Sequence, residues 1–469
     1  MSQLFSNIIV AFLAQIISIV LSISTSFFLP KVLEIDEFSY WQLYIFYISY
    51  IGIFHFGIND GVYLKYGGTS LNEIDKELIS GQFKILCATE FIICSSIIFG
   101  LPKMNDSRTF VLKISCIYMF FFNTSLFAGY IFQTLNETKL YSYSVIIDKI
   151  SFFILLNILY VSKNKSFKFY TISYLIGKII SSVYCYYYGG MVLFYKVRNW
   201  KRVGIETIDS IRTGVKLTVS SLSSMLIIGC GRMYIDKNFG VITFGKISFS
   251  LSLTSFVLAF ISQISMVLFP YLRKIGETKA LYLYRKISDI LYFILPIFYF
   301  FYIPMKMFFT KWLPQYQDSM EYLSILFPIC VFDAKMYLLY NTYFKVIRLE
   351  NYLLIINIIS ATLSILSSIV STYMLRSYLA IVISMVLVTI FRSVSSEYII
   401  GRKNGLYNIV ETIYSIIFTM IFYLSNLYFD EIYSLFSLLI FYCLYVILNR
   451  KKAKAVLSDL IMRIDNKQK

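Results

Sequence analysis

Charge is what this chain has least of. Only 15% of its 469 residues are Asp, Glu, Lys or Arg, and it holds a single histidine, His55. Soluble domains carry roughly 25% charged and about 45–50% apolar residues, whereas 58% of this chain is hydrophobic and its mean hydropathy is +0.70. A soluble core could not hide so much apolar surface; a bilayer can. Also lacking are a phosphate-cradling glycine-rich loop, a metal-ligand cluster and a nucleophile triad, so neither cofactor nor metal is expected. The first apolar run has no basic start and no small-residue cleavage site, and reads as a mature helix rather than a signal sequence. The seven cysteines (87, 94, 116, 185, 230, 330 and 443) sit inside apolar runs without metal-like spacing and read as small buried hydrophobes.

What the chain does have is apolar runs of membrane-spanning length. They fall at 7–30, 39–61, 83–100, 110–135, 143–161, 168–194, 213–235, 241–270, 288–310, 319–346, 351–374, 377–400, 408–428 and 431–449. The predicted fold is therefore an all-α polytopic membrane protein of about 14 transmembrane helices. With the N-terminus in the cytoplasm, the inner loops and tail carry roughly three times as many basic residues as the outer loops. Lys196, Arg198, Lys201 and Arg202 form one inner cluster, and Arg450, Lys451 and Lys452 another. Both termini are thus expected to be cytoplasmic. The net charge of +17 marks topology and contact with anionic membrane lipids; dispersed between spans, it does not suit nucleic acid.

"FFLPKVLEIDEFSYWQ" after segment 1 and "MYIDKNFGVITFGKIS" after segment 7 align with Lys31 on Lys237 and Phe38 on Phe244. Both occupy the outer turn between the first two helices of a six-helix block. Six is even, so the blocks enter the membrane alike, as parallel repeats do in many transporters. The expected organisation is an N-terminal lobe (1–200), a C-terminal lobe (201–403) around a central cavity, two further helices (404–449) and a basic cytoplasmic tail (450–469).

Those two stretches, with "FGINDGVYLKYGG" closing segment 2, resemble bacterial polysaccharide flippases (Wzx-like, O-antigen or capsule type). That family belongs to the multidrug/oligosaccharidyl-lipid/polysaccharide exporter (MOP) superfamily. Lys237 stands where arginine is usual, and Lys246-Ile247 replaces the commoner residue-Tyr. The resemblance implies movement of an undecaprenyl-pyrophosphate-linked oligosaccharide from the inner to the outer leaflet of a bacterial inner membrane by alternating access. It also implies a polysaccharide polymerase and glycosyltransferases as partners.

A charge at mid-membrane costs about 2.5–3.5 kcal/mol on the insertion scale, so each one asks for a reason. The cations Lys113, Lys149, Lys178, Arg232, Lys246, Lys335 and Arg392 are candidate donors to a pyrophosphate. Lys113, Lys149 and Lys246 lie near helix ends, where lysines also snorkel. Glu90 and Asp333 are candidate ion-coupling groups. Asp333 and Lys335 cannot face each other along one helix, so each needs a partner elsewhere. Pro296, Pro304 and Pro328 are expected to kink their helices.

His55, Asn59, Asp60 and Lys65 form a candidate inner gate, with His55 and Asn59 sharing a face at i, i+4 and Asp60-Gly61 or Gly67-Gly68 turning the chain. A cation-coupled small-molecule or drug exporter of the same superfamily is the first rival; it calls for carboxylates, whereas the intramembrane balance here is cationic. A membrane glycosyltransferase or polymerase is the second. Glu34, Asp36 and Glu37 invite it, but no long outer loop is there to hold donor and acceptor. Transport without chemistry is the expected function.

Overall fold

The computed structural model describes residues 2–69, 71, 73–100, 105–454 and 458; Lys103 and the expected basic tail beyond Lys454, Ser458 apart, lie outside them. All fourteen apolar segments fall on helix, and no strand occurs among the described residues. Eleven helices are long and apolar enough to cross a membrane, or thirteen if each of two bent pairs counts as one span. The remaining segment is a helix of 27 residues whose tyrosines and serines dilute its apolar character.

The first unit runs from the N-terminus to Met225 and includes Gly240–Gly245. Its helices are α1 (Ser2–Val32), α2 (Ile35–Tyr50), α3 (Ile58–Tyr66), α4 (Lys76–Gly100), α5 (Asp106–Thr134), α6 (Thr138–Val161), α7 (Phe167–Leu193) and the first part of α8 (Trp200–Phe239). Residues 201–225, grouped by the sequence reading with the second half of the chain, pack here. Ile58, Val62, Phe83, Leu86, Phe127 and Phe132 centre one core cluster, drawn from α3, α4 and α5. Glu34 and Glu37, at the start of α2, have structural partners. Glu37 accepts the first amide of α7, Phe167 N, at 2.6 Å, and Glu34 pairs with Lys165 at 3.5 Å.

Segment 2 is not one helix. A 3-10 turn (Ile51–His55) follows α2, and α3 leaves it at 59°. The turn is made by Phe56 (φ 50°) and Gly57 (φ 86°), both left-handed. Glycine takes that conformation freely, but a residue with a Cβ loses about 1–2 kcal/mol. This corrects two expectations: His55 and Asn59 do not share a continuous helical face, and Asp60-Gly61 lies inside α3 rather than turning the chain.

The second unit comprises Leu226–Phe239 and the chain from Lys246 onward. After the end of α8 come α9 (Val241–Ile275), α10 (Glu277–Ile294), α11 (Tyr302–Trp312), α12 (Gln317–Leu326), α13 (Pro328–Lys335) and α14 (Asn341–Val346). α15 (Glu350–Tyr373), α16 (Tyr378–Asn404), α17 (Ile409–Tyr428) and α18 (Glu431–Leu448) complete it. Pro296 sits in a 3-10 stretch, Leu295–Phe301, that joins α10 to α11 within one 36-residue span. Pro328 opens α13, where the chain bends by 42°. A π-helical turn, Met336–Tyr340, links α13 to α14.

One helix, α15, is greasier outside than in. On α15, Asn357, Ser360, Ser364, Ser368 and Ser371 are buried while Ile355, Ile359, Leu363, Leu366 and Val370 are exposed. Between membrane helices, small side chains allow close approach and hydroxyls find carbonyls; Ser364 Oγ donates to Ile227 O at 2.6 Å. Cys443 differs from expectation for the same reason: it is exposed, on a helix whose outer face is apolar. All seven cysteines are free.

Candidate functional site

A buried polar assembly lies in the second unit, where α10, α13, α15, α16 and α17 meet. Lys335, at the end of α13, is 3% exposed. Its Nζ donates to Ser415 Oγ at 3.0 Å and stands 4.0 Å from the centre of the Tyr292 ring, a cation–π contact strengthened by desolvation. The Tyr292 hydroxyl donates in turn to Glu397 Oε1. Tyr340 OH donates to Glu397 Oε2 at 3.0 Å, and Thr412 Oγ1 to Oε1 at 2.9 Å. The π-helical turn supplies Tyr340 just after α13 supplies Lys335; such turns recur at functional sites.

One turn away, Arg392 Nη1 is 3.6 Å from Asp333 Oδ1, and its Nε donates to Asn357 Oδ1 at 2.9 Å. Asp333 and Lys335 thus find separate partners, as their spacing requires. Arg392 and Asp333 pair directly, whereas Lys335 is linked to Glu397 only through Tyr292, whose ring it faces and whose hydroxyl donates to that carboxylate.

The other cations do not gather here. Lys178 Nζ is 3.5 Å from Asp148 Oδ2 and 5.1 Å from the Phe122 ring centre, in the first unit. Lys149 donates to Tyr174 OH at 3.1 Å in the same unit. Lys113 is exposed. In the second unit, Lys246 pairs with Asp318 at 2.5 Å, and Arg232 Nη2 donates to Ser248 Oγ at 2.9 Å. Lys178, Lys246 and Arg392 are therefore each beside a carboxylate.

The candidate gate residues lie within the first unit, where α3 crosses α8. His55 Nδ1 accepts Gly57 N at 3.0 Å, and its Nε2 is 4.0 Å from Asp60 Oδ2. Asp60 Oδ2 accepts a hydrogen bond from Thr218 Oγ1 at 2.6 Å, a neutral partner. Lys65 Nζ reaches Glu206 Oε1 at 2.6 Å and Asp209 Oδ2 at 2.7 Å. Asn59 turns away to the Asn123 carbonyl, and Asn123 Nδ2 donates to Glu90 Oε1 at 2.6 Å. What holds the crossing together is small residues: Gly57 and Gly61 lie against Val215 and Ser210, and Gly214 against Gly57.

Sequence reasoning missed Glu397, Asn357, Tyr292, Tyr340 and Ser415. Glu397 had a signal: with Arg392, Ser393 and Ser396 it makes one buried polar face of α16. The crossing had one too, since Gly57 and Gly61 are spaced as small-xxx-small, as are Ser210 and Gly214.

No family model and no curated protein matches the chain. Solved structures do. The lipid II flippase MurJ in an inward closed conformation aligns with a TM-score of 0.65 at 14% identity, over 97% of this chain and 100% of that one. The fold is that of MOP-superfamily transporters. An inward-facing multidrug resistance MATE transporter of that superfamily aligns with a TM-score of 0.59 at 14% identity, over 83% of this chain and 97% of its own. A Vibrio cholerae MATE transporter gives 0.51 at 13% identity, over 87% and 98%. These structures are flippases and transporters, not enzymes.

Proposed function

We propose that the chain is a flippase for a lipid-linked oligosaccharide, carrying an undecaprenyl-pyrophosphate-anchored glycan from the cytoplasmic to the outer leaflet by alternating access. The glycan serves surface polysaccharide synthesis, with glycosyltransferases supplying it and a polymerase consuming it. The membrane is a bacterial inner membrane, and both termini are cytoplasmic.

One observation carries this reading. The match to a lipid II flippase spans 97% of this chain and all of the other, and what remains unmatched is shorter than any one membrane-length helix. The α17–α18 pair is therefore part of the common plan, and α17 contributes Thr412 and Ser415 to the buried assembly around Lys335. In this reading Lys335 is the headgroup contact. Ser415 and Tyr292 hold it with a hydroxyl and a ring face, both of which a phosphate can replace.

The MATE matches favour a second reading, export of a small organic cation. Proteoliposomes containing the purified chain separate the two. A fluorescent polyprenyl-pyrophosphate oligosaccharide should move between leaflets, and Lys335→Gln should slow it at least tenfold without lowering protein level. Transport of an organic cation dye with no movement of the lipid-linked glycan would overturn the proposal.

A further inference from the structure

α18 does not run unbroken into the basic segment that follows it. Asn449 ends the helix, at φ −104° and ψ 26°, and its Nδ2 donates back to Tyr445 O at 3.0 Å. Asparagine suits such a stop, because its amide competes for backbone partners. A helical turn then resumes, with Ala453 N donating to Asn449 O at 2.9 Å. On that turn Arg450, Lys451 and Lys454 are exposed. Lys452 is half-buried instead. Its Nζ reaches Glu411 Oε1 at 2.5 Å and stands 3.8 Å from Asp289 Oδ1.

The two carboxylates differ in what they need. Glu411, in the first turn of α17, is 7% exposed, and Asn408 Nδ2 donates to the same oxygen at 2.9 Å. A carboxylate so far out of water needs a cation more than a surface one does. Lys452 is its ion-pair partner among the described residues. Asp289, on α10, is too far from Nζ for a hydrogen bond and adds attraction only. Beside them opens a cavity of about 180 Å³, lined by Tyr284, Ser288 and Asn408 as well as the three charged groups. At this level the ammonium, rather than apolar packing, links α10 to α17.

Both helices carry a contact of Lys335 one turn further along. Asp289 and Tyr292 are spaced i, i+3 on α10, and Glu411 and Ser415 i, i+4 on α17, so each pair shares a helix face. Tyr292 offers its ring to the Lys335 ammonium, and Ser415 its hydroxyl. Ser415 Oγ also donates to Glu411 O at 3.2 Å, which ties it to the turn that Lys452 holds. We propose that Lys452 is a positioning residue for Lys335. By bridging Glu411 and Asp289 it sets the spacing of α17 and α10, and through them the distance between Ser415 and Tyr292. Unseating the basic segment therefore loosens the surroundings of Lys335. The consequence for transport rests on the reading of Lys335 as the headgroup contact; the positioning itself does not.

The first test uses the purified full-length chain in detergent and no substrate. Lys452→Gln should lower the unfolding temperature, and Lys452→Arg, which keeps the charge, should restore it. Lys451→Gln, on the exposed side of the same turn, should leave it unchanged. Ser415→Ala removes the hydroxyl that Lys335 uses. If Lys452 positions Ser415, the two losses overlap, and the double variant should fall short of the summed single shifts. Independent sites add instead. Strict additivity, an unchanged unfolding temperature in Lys452→Gln, or an equal loss in Lys452→Arg would each overturn the proposal. The second test uses proteoliposomes and the fluorescent polyprenyl-pyrophosphate oligosaccharide. Lys452→Gln should slow its movement roughly threefold at equal protein level, a coupling of the size that neighbouring groups show, and Lys452→Arg should recover the rate. A full rate in Lys452→Gln overturns this inference and leaves the proposed function standing. An unmodified chain that moves no glycan overturns the proposed function, and the thermal cycle still decides the positioning.

Discussion

Gly61 of α3 lies against the main chain of Ser210 in α8, so close that a Cβ at position 61 would stand 1.9 Å from the Ser210 carbonyl oxygen. No rotamer change relieves such a clash, because the obstacle is backbone. Gly61→Leu should therefore push α3 off α8 and strip Asp60 and Lys65 of their partners on that helix. The expected result is a large loss of folded protein on size-exclusion chromatography in detergent. Gly204→Ala, on α8 with nothing within 4 Å, should behave like the unmodified chain or better, since alanine favours helix by about 1 kcal/mol over glycine.

Arg392 and Asp333 form a buried pair, 6% and 8% exposed. Removing one partner leaves the other charge stranded, at a cost of about 3–5 kcal/mol. Arg392→Gln should thus destabilise strongly, while the double variant Arg392→Gln with Asp333→Asn should recover much of the loss. Thermal unfolding of the four proteins checks this, and strict additivity would show that the pair is not coupled.

Lys65 is a contrasting case. Its two carboxylates are near, but its side chain is 34% exposed and that of Asp209 is 57% exposed. Solvent screens such pairs. Lys65→Glu should lower the unfolding temperature less than Arg392→Gln does, and the deficit should shrink as salt is raised.

For the proposed pyrophosphate-linked cargo, the pairing of the cations bears on the energy source. Lys178, Lys246 and Arg392 each have a carboxylate partner, so the empty carrier presents little net charge at these positions. A membrane potential then acts on the cargo, gaining about 2.3 kcal/mol per 100 mV for each negative charge moved outward from a negative interior. In proteoliposomes, a potassium-diffusion potential negative on the cytoplasmic side should speed transport of the pyrophosphate-linked lipid in proportion to cargo charge. A rate indifferent to potential would remove the electrical account.

Much of the architecture was legible because hydropathy is additive along the chain, and all fourteen apolar segments fall on helix. Breaks are not additive. Phe56 and Gly57 bend segment 2 by 59°, an angle that no sum of hydropathies contains, and the π-helical turn at Met336–Tyr340 leaves no compositional trace. The cations were visible as charges in apolar runs, but their partners lie far along the chain: Lys246 meets Asp318, and Lys335 meets Ser415. Glu397 was overlooked because a carboxylate near a helix end usually reaches water, and only the three hydroxyls around it show otherwise. Spacing can say that Asp333 and Lys335 must look elsewhere. It cannot say where.

The serine-lined face of α15 inverts the usual map of which positions are free to vary. In a water-soluble protein the outside tolerates exchange and the apolar inside resists it. Here Ile355, Ile359 and Leu366 face outward, where one aliphatic residue serves as well as another. Ser360, Ser364 and Ser368 are buried, and small side chains are what let membrane helices approach closely. Saturation mutagenesis of this helix should return a tolerant hydrophobic flank and an intolerant small-residue seam, so that side-chain volume, not polarity, sorts the functional variants from the lost ones.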